Sequence, residues 1–215
     1  MDRKEIKELA KKKIKGNIWN ILWPLLVIGV LQSIISSLIG ANISYSNITS
    51  LEELGSITVP SSTVVKSTLL NILVGVVSGG YTKYILDFVR NGKFDTNTII
   101  ETIKEKWLNL LIAETLVSII VAVGFALFVI PGIILTLAYA FVTYLVIDTD
   151  VSGSDSLKKS REMMKGYKWD FLVFCLSFLG WIILGVLTLG ILFIWVVPYM
   201  MIAGTLYYEK LKELK

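Results

Sequence analysis

The run from Trp107 to Ile147 is 41 residues long and carries one charged residue, Glu114. As a single α-helix it would extend about 60 Å, twice the hydrocarbon thickness of a bilayer. It must fold back on itself, and Ile130-Pro131-Gly132 supplies the expected hinge. The run from Phe171 to Tyr208 poses the same problem. Its turn is expected within Gly185 to Gly190, which leaves Pro198 inside the last helix as a kink. Two earlier apolar stretches, Ile18 to Gly40 and Thr63 to Leu86, are each long enough for one crossing. The expectation is therefore an all-α integral membrane bundle of six transmembrane helices in three hairpins.

Composition supports a membrane solvent. Charged residues make up 18% of the chain, against about a quarter in a soluble domain, and they gather in blocks between the apolar runs. The excess of basic residues does not point to nucleic acid, because these residues border the spans, where they face anionic headgroups. The first apolar run is too long for a signal peptide. There is no His, and the single Cys175 lies inside an apolar run, so neither a disulfide nor a zinc site can be built. Asp148-x-Asp150-x-Ser152-Gly153 resembles the first half of a calcium loop, but Lys159 stands where a bidentate Glu is needed. These residues are expected instead to end a span and cap a helix starting near Ser154. No P-loop, nucleophile elbow or H-E-x-x-H motif is present, so we expect no enzyme, cofactor or resident metal.

A repeated grammar divides this single membrane domain into units at 1–90, 91–150 and 151–215. Each unit pairs a cytoplasmic amphipathic helix with a Lys/Trp anchor and a hairpin. The anchors are Lys15-Gly16-Asn17-Ile18-Trp19, the looser Lys104-Glu105-Lys106-Trp107, and Lys165-Gly166-Tyr167-Lys168-Trp169. The first amphipathic helix presents Ile6, Leu9, Ala10 and Ile14; the second presents Ile99, Ile100 and Ile103. With both termini cytoplasmic, every Lys and Arg except Lys66 lies on or next to the inner face. Ala41 to Ser62 is then external; its Asn42 and Asn47 match the glycosylation acceptor pattern.

The polar residues within the spans are few. Ser67, Asn71, Gly75, Ser78, Gly79 and Thr82 share one face of the second span, and Gly75-x-x-x-Gly79 invites close helix packing. Glu114 is costly at membrane depth and needs a partner. The sequence allows an ion pair, with Lys83 at a compatible height, or a helix–helix hydrogen bond; a proton- or cation-coupled site; or snorkelling to the interface. Ser118, Ala122 and Ala126 continue the Glu114 face, and Thr136, Tyr139 and Thr143 form a comparable stripe on the fourth span, beside Tyr144. The candidate ligand-binding set is Glu114, Lys83, Tyr139, Ser118 and Thr143.

Several motifs in the chain resemble the bacterial membrane proteins grouped as domain-of-unknown-function family 975. They are Phe128-Val129-Ile130-Pro131-Gly132-Ile133-Ile134, the run Ser160 to Trp169, Ser177-Phe178-Leu179-Gly180-Trp181 and Trp195-Val196-Val197-Pro198-Tyr199. Arg3-Lys4-Glu5 and Lys15-Gly16-Asn17 extend the resemblance over most of the chain. It implies a multi-span fold in a bacterial plasma membrane and no activity.

The functional expectation is a protein that binds or transports a small amphipathic or lipid-like ligand within the bundle. The competing class is a scaffold, accessory or immunity protein whose cytoplasmic helices dock a partner, either another membrane protein or a second copy. Charge reversal at Lys158, Lys159 and Arg161 would disable a scaffold; Glu114→Gln would disable a ligand site.

Overall fold

The structure, a computed structural model, describes residues 2–40 and 61–215. Asn42 and Asn47 lie outside the described residues. All the regular structure among those described is helical. The helices are α1 (Arg3–Ile14), α2 (Ile18–Leu38), α3 (Ser61–Asn91), α4 (Asn97–Leu127) and α5 (Val129–Ala138). They continue with α6 (Val142–Asp148), α7 (Gly153–Met163), α8 (Lys168–Leu176), α9 (Leu179–Leu187) and α10 (Phe193–Glu213).

Five segments are long and apolar enough to cross a membrane: α2, α3, α4, α5 with α6, and α8 with α9. The stretch expected as a sixth span holds α10, which is not among these five. It has 21 residues but is less apolar, since its last turns carry Tyr207, Tyr208, Glu209 and Lys210. The chain is a helical membrane protein.

Glycine decides where an amphipathic helix separates from the span after it. Gly16 and Gly166 adopt left-handed backbone, φ +83° and +88°, and end the segments led by α1 and α7. The third anchor has no glycine, and there the helix runs unbroken from Asn97 to Leu127. The separate helix expected around Ile99, Ile100 and Ile103 is therefore the first turns of α4.

The hinge between α4 and α5 also differs from expectation. The chain turns at Phe128, in extended backbone, and Pro131 sits in the first turn of α5, where its missing N–H is not needed. Gly132 instead permits the close return: a Cβ there would lie 2.5 Å from the Phe125 ring. The last hairpin turns within the expected window, through Leu189 and Gly190, both at positive φ.

Pro24 lies inside α2 and cannot donate to the Asn20 carbonyl one turn earlier. Tyr84 of α3 donates its hydroxyl to that carbonyl at 2.7 Å, and Tyr81 donates to Ile21 O at 2.8 Å. The proline thus creates the acceptor by which α3 is fastened to α2. Elsewhere the core is largely aromatic, with Phe141, Phe174, Phe178, Tyr199, Tyr207 and Tyr208 buried between α6, α8, α9 and α10.

Two short helices, α1 and α7, each bury one face in the bundle. Ile6, Ala10 and Ile14 of α1 are buried, and α1 packs on α10. Asp2 caps α1, accepting from Lys4 N and Glu5 N at 2.9 and 3.1 Å. On α7 the buried face is small: Gly153, Ser156, Leu157, Ser160 and Met163. A Cβ on Gly153 would lie 2.3 Å from the Asn109 carbonyl oxygen, so α7 is pressed directly against the α4 backbone.

Candidate functional site

α3 and α4 pack antiparallel, and their register is set by small residues. Gly75 faces Glu114 and Gly79 faces Leu110, with ideal Cβ atoms 3.1 and 2.7 Å from those side chains. The Gly75-x-x-x-Gly79 step thus does what its spacing suggests, and it leaves room for the Glu114 side chain between the helices.

Glu114 finds its partner on the other side. Thr143 of α6 donates its hydroxyl to Glu114 Oε1 at 2.7 Å. Lys83 does not meet Glu114. It lies eight residues beyond Gly75, about 12 Å along α3, and pairs with Asp87 of its own helix at 2.6 Å. The expected ion pair fails because α4 begins at Asn97, ten residues before Trp107, which moves the register of the two helices. Lys83 therefore belongs to the end of the bundle and not to the Glu114 site.

Two clefts flank Glu114. The larger, about 290 Å³, is lined by Glu114, Ser118, Thr136, Tyr139 and Thr143, with Val117, Val121 and Val142 as apolar walls. The smaller, about 180 Å³, lies toward α3 and adds Thr68 and Asn71 to Glu114 and Ser118. Four of the five expected site residues thus come together, with Glu114 and Ser118 between both clefts. Ser118 and Thr136 are exposed at the rim, where they donate to carbonyls of their own helices.

The cleft also borders a discontinuity that the sequence does not announce. The fourth span is interrupted at Tyr139-Ala140-Phe141, with neither Pro nor Gly at the break. Val142 N bonds to Tyr139 O, leaving the Ala138 carbonyl without its helical donor, and Ser160 of α7 donates to it at 3.0 Å. A helix outside the spans thus supplies the missing donor at a break inside a span. Broken spans are where membrane proteins expose backbone beside a cavity.

One end of the bundle is closed by charge. Arg90 at the end of α3 reaches Asp148 at the end of α6 and Glu209 in α10; Lys212 and Tyr208 also bind Asp148. Asp148 therefore has its donors within the protein. Asp150 pairs with Lys106, whose hydrogen bond and charge hold its carboxyl below the ordinary value, and Ser152 caps α7 by accepting from Asp155 N. The calcium-loop resemblance dissolves into two ion pairs and a cap.

The fold and cleft define the class: a helical membrane protein with a polar cleft between its spans. Residues 115–215 match the family described as "Protein of unknown function (DUF975)". The match covers the later half, narrower than the resemblance suggested; it includes Ser118, Tyr139 and Thr143 and begins one residue after Glu114. No curated protein and no solved structure matches the chain.

Proposed function

We propose that the protein is a non-enzymatic, multi-pass protein of a bacterial plasma membrane that binds or moves a small amphipathic ligand through the cleft beside Glu114. The observation that carries this reading is the convergence of Glu114, Ser118, Thr136, Tyr139 and Thr143 on one cavity beside a broken span. Glu114 can accept from a hydroxyl or ammonium group, while Val117, Val121 and Val142 suit an apolar body. The exposed rim at Ser118 and Thr136 suits lateral access from the bilayer.

Six crossings in three hairpins, with both termini cytoplasmic, fit the pairing of the chain ends. Glu5 pairs with Lys210, and Arg3 lies 3.7 Å from Asp170. Arg90, Asp148 and Glu209 meet at one end. An odd number of crossings would separate the termini by the membrane, whereas α10, about 31 Å long, is sufficient for the sixth. The scaffold reading is weaker, because the apolar faces of α1 and α7 are taken up by the bundle itself. A partner would have to bind the charged face of Lys158, Lys159 and Arg161.

Native mass spectrometry of wild type and Glu114→Gln released from lipid nanodiscs tests the reading. Gln preserves the acceptor for Thr143, so the fold is expected to persist while a discrete bound mass disappears. Bare protein in both samples would favour the scaffold.

A further inference from the structure

A second cavity, about 410 Å³, lies between the start of α1 and α8, away from the Glu114 cleft. Asp2, Arg3, Lys4, Lys7, Val173 and Ser177 line it. Three cations therefore face one anion, and the Asp2 carboxylate is already engaged as the α1 cap. Two of the cations, Lys7 and Arg3, have partners within the protein. Lys7 Nζ donates to the Ser177 carbonyl at 3.2 Å, at the break between α8 and α9, and sits 4.5 Å from the Phe178 ring centroid. Arg3 is placed by Asp170.

The surroundings give the level of this pocket in the membrane. Trp169, adjacent to Asp170, is 76% exposed, as expected of a side chain in the headgroup region. Further along the chain from Val173, α8 and α9 expose Leu176, Leu179 and Ile183, an apolar surface. Burial, followed by the like charges of Lys11 and Arg3, holds Lys7 below its ordinary value. An anion seated among these groups would relieve that repulsion.

We propose that this pocket seats the phosphate of an anionic phospholipid, held by Arg3, Lys4 and Lys7, with the acyl chains lying along Leu176, Leu179 and Ile183. Basic pockets between spans on the cytoplasmic side suit such headgroups. The apolar surface favours a lipid over free phosphate, which shares the headgroup chemistry but has no use for exposed leucines. By holding α1 against α8, the lipid would brace the α8–α9 break from outside, as Lys7 does from within.

The test uses the full chain in phosphatidylcholine nanodiscs containing a minor fraction of phosphatidylglycerol, with retained phosphatidylglycerol counted by native mass spectrometry. The combined variant Arg3→Gln, Lys4→Gln, Lys7→Gln should retain about a hundredfold less, since three basic residues near the surface contribute on the order of 1 kcal/mol each. The control Lys158→Gln, Lys159→Gln, Arg161→Gln should retain as much as wild type. Equal losses in both would mean diffuse attraction and overturn the site. Lys4→Gln alone, at an exposed position on α1, should show a partial loss even if the combined variant folds poorly; undiminished retention there overturns the proposal. Inorganic phosphate is then titrated into pure phosphatidylcholine nanodiscs. Thermal stabilisation of wild type there, with lipid retention unchanged in the combined variant, would assign the pocket to free phosphate and overturn the lipid.

Discussion

Arg90 forks onto Asp148, Nη1 to Oδ1 at 2.6 Å and Nη2 to Oδ2 at 2.9 Å. The same guanidinium donates to both carboxylate oxygens of Glu209. Arg90, Asp148 and Glu209 end or approach the end of α3, α6 and α10, so one planar cation ties three helices together.

Asp148 is the member whose loss should matter most, because its side chain is 4% exposed and takes donors from Arg90, Lys212 and Tyr208. Asp148→Asn should destabilise by about 2–3 kcal/mol, less than a fully buried pair because Arg90 is partly solvated. Equilibrium unfolding in mixed micelles checks this. A loss no greater than that of Asp150→Asn, whose pair with Lys106 is exposed on the acid side, would contradict it.

Tyr84 and Pro24 should be coupled. Tyr84→Phe orphans the Asn20 carbonyl and should lose about 1–3 kcal/mol. Pro24→Ala restores a backbone donor one turn below Asn20, so the same Tyr84→Phe change should be milder in that background. The double-mutant cycle measures this; equal losses in both backgrounds would show that Tyr84 acts through packing alone.

The distribution of charge made the spans legible, because each block of Lys, Arg and acid marks where the membrane ends. Gly16 and Gly166 stand in the Lys/Trp anchors, and their left-handed backbone shows why two of the three anchors separate a helix from the apolar run. The Glu114 cleft was largely legible, since four-residue spacing places Ser118 with Glu114 and Tyr139 with Thr143. A helix–helix hydrogen bond to Glu114 was legible as one alternative, but its donor was not, because that depends on the register of two 31-residue helices whose ends overrun the apolar segments. The breaks at Tyr139–Phe141 and Ser177–Phe178 carry no local signal. They are held by Ser160, 22 residues away, and by Lys7, 170 residues away. The Arg90 cluster has only a weak signal in the sequence: Arg90, Asp148 and Glu209 each border an apolar run.

Two glycines should respond oppositely to alanine. At Gly153 a Cβ meets the Asn109 carbonyl oxygen, which cannot move without shifting α4. Gly153→Ala should therefore lift α7 and destabilise by about 1–3 kcal/mol. Gly204, inside α10, has open space around its Cβ position, so Gly204→Ala should stabilise by about 0.5–1 kcal/mol through helix propensity. Thermal unfolding of the two variants distinguishes close packing from a general intolerance of substitution.

Ser160 and Ser156 share the buried face of α7 but have different partners. Ser156 donates within its own helix, to Gly153 O at 2.6 Å, whereas Ser160 reaches the Ala138 carbonyl across the break. Ser160→Ala leaves that carbonyl unpaired and should lose about 1–3 kcal/mol. Tyr139 and Thr143 stand on either side of the break, so relaxation there should also move cleft residues apart. Ser160→Ala should accordingly weaken retention of the mass bound beside Glu114, while Ser156→Ala should not. A ligand retained equally by both variants, with Ser160→Ala still destabilised, would confine the Ser160 bond to stability and separate the broken span from the cleft's function.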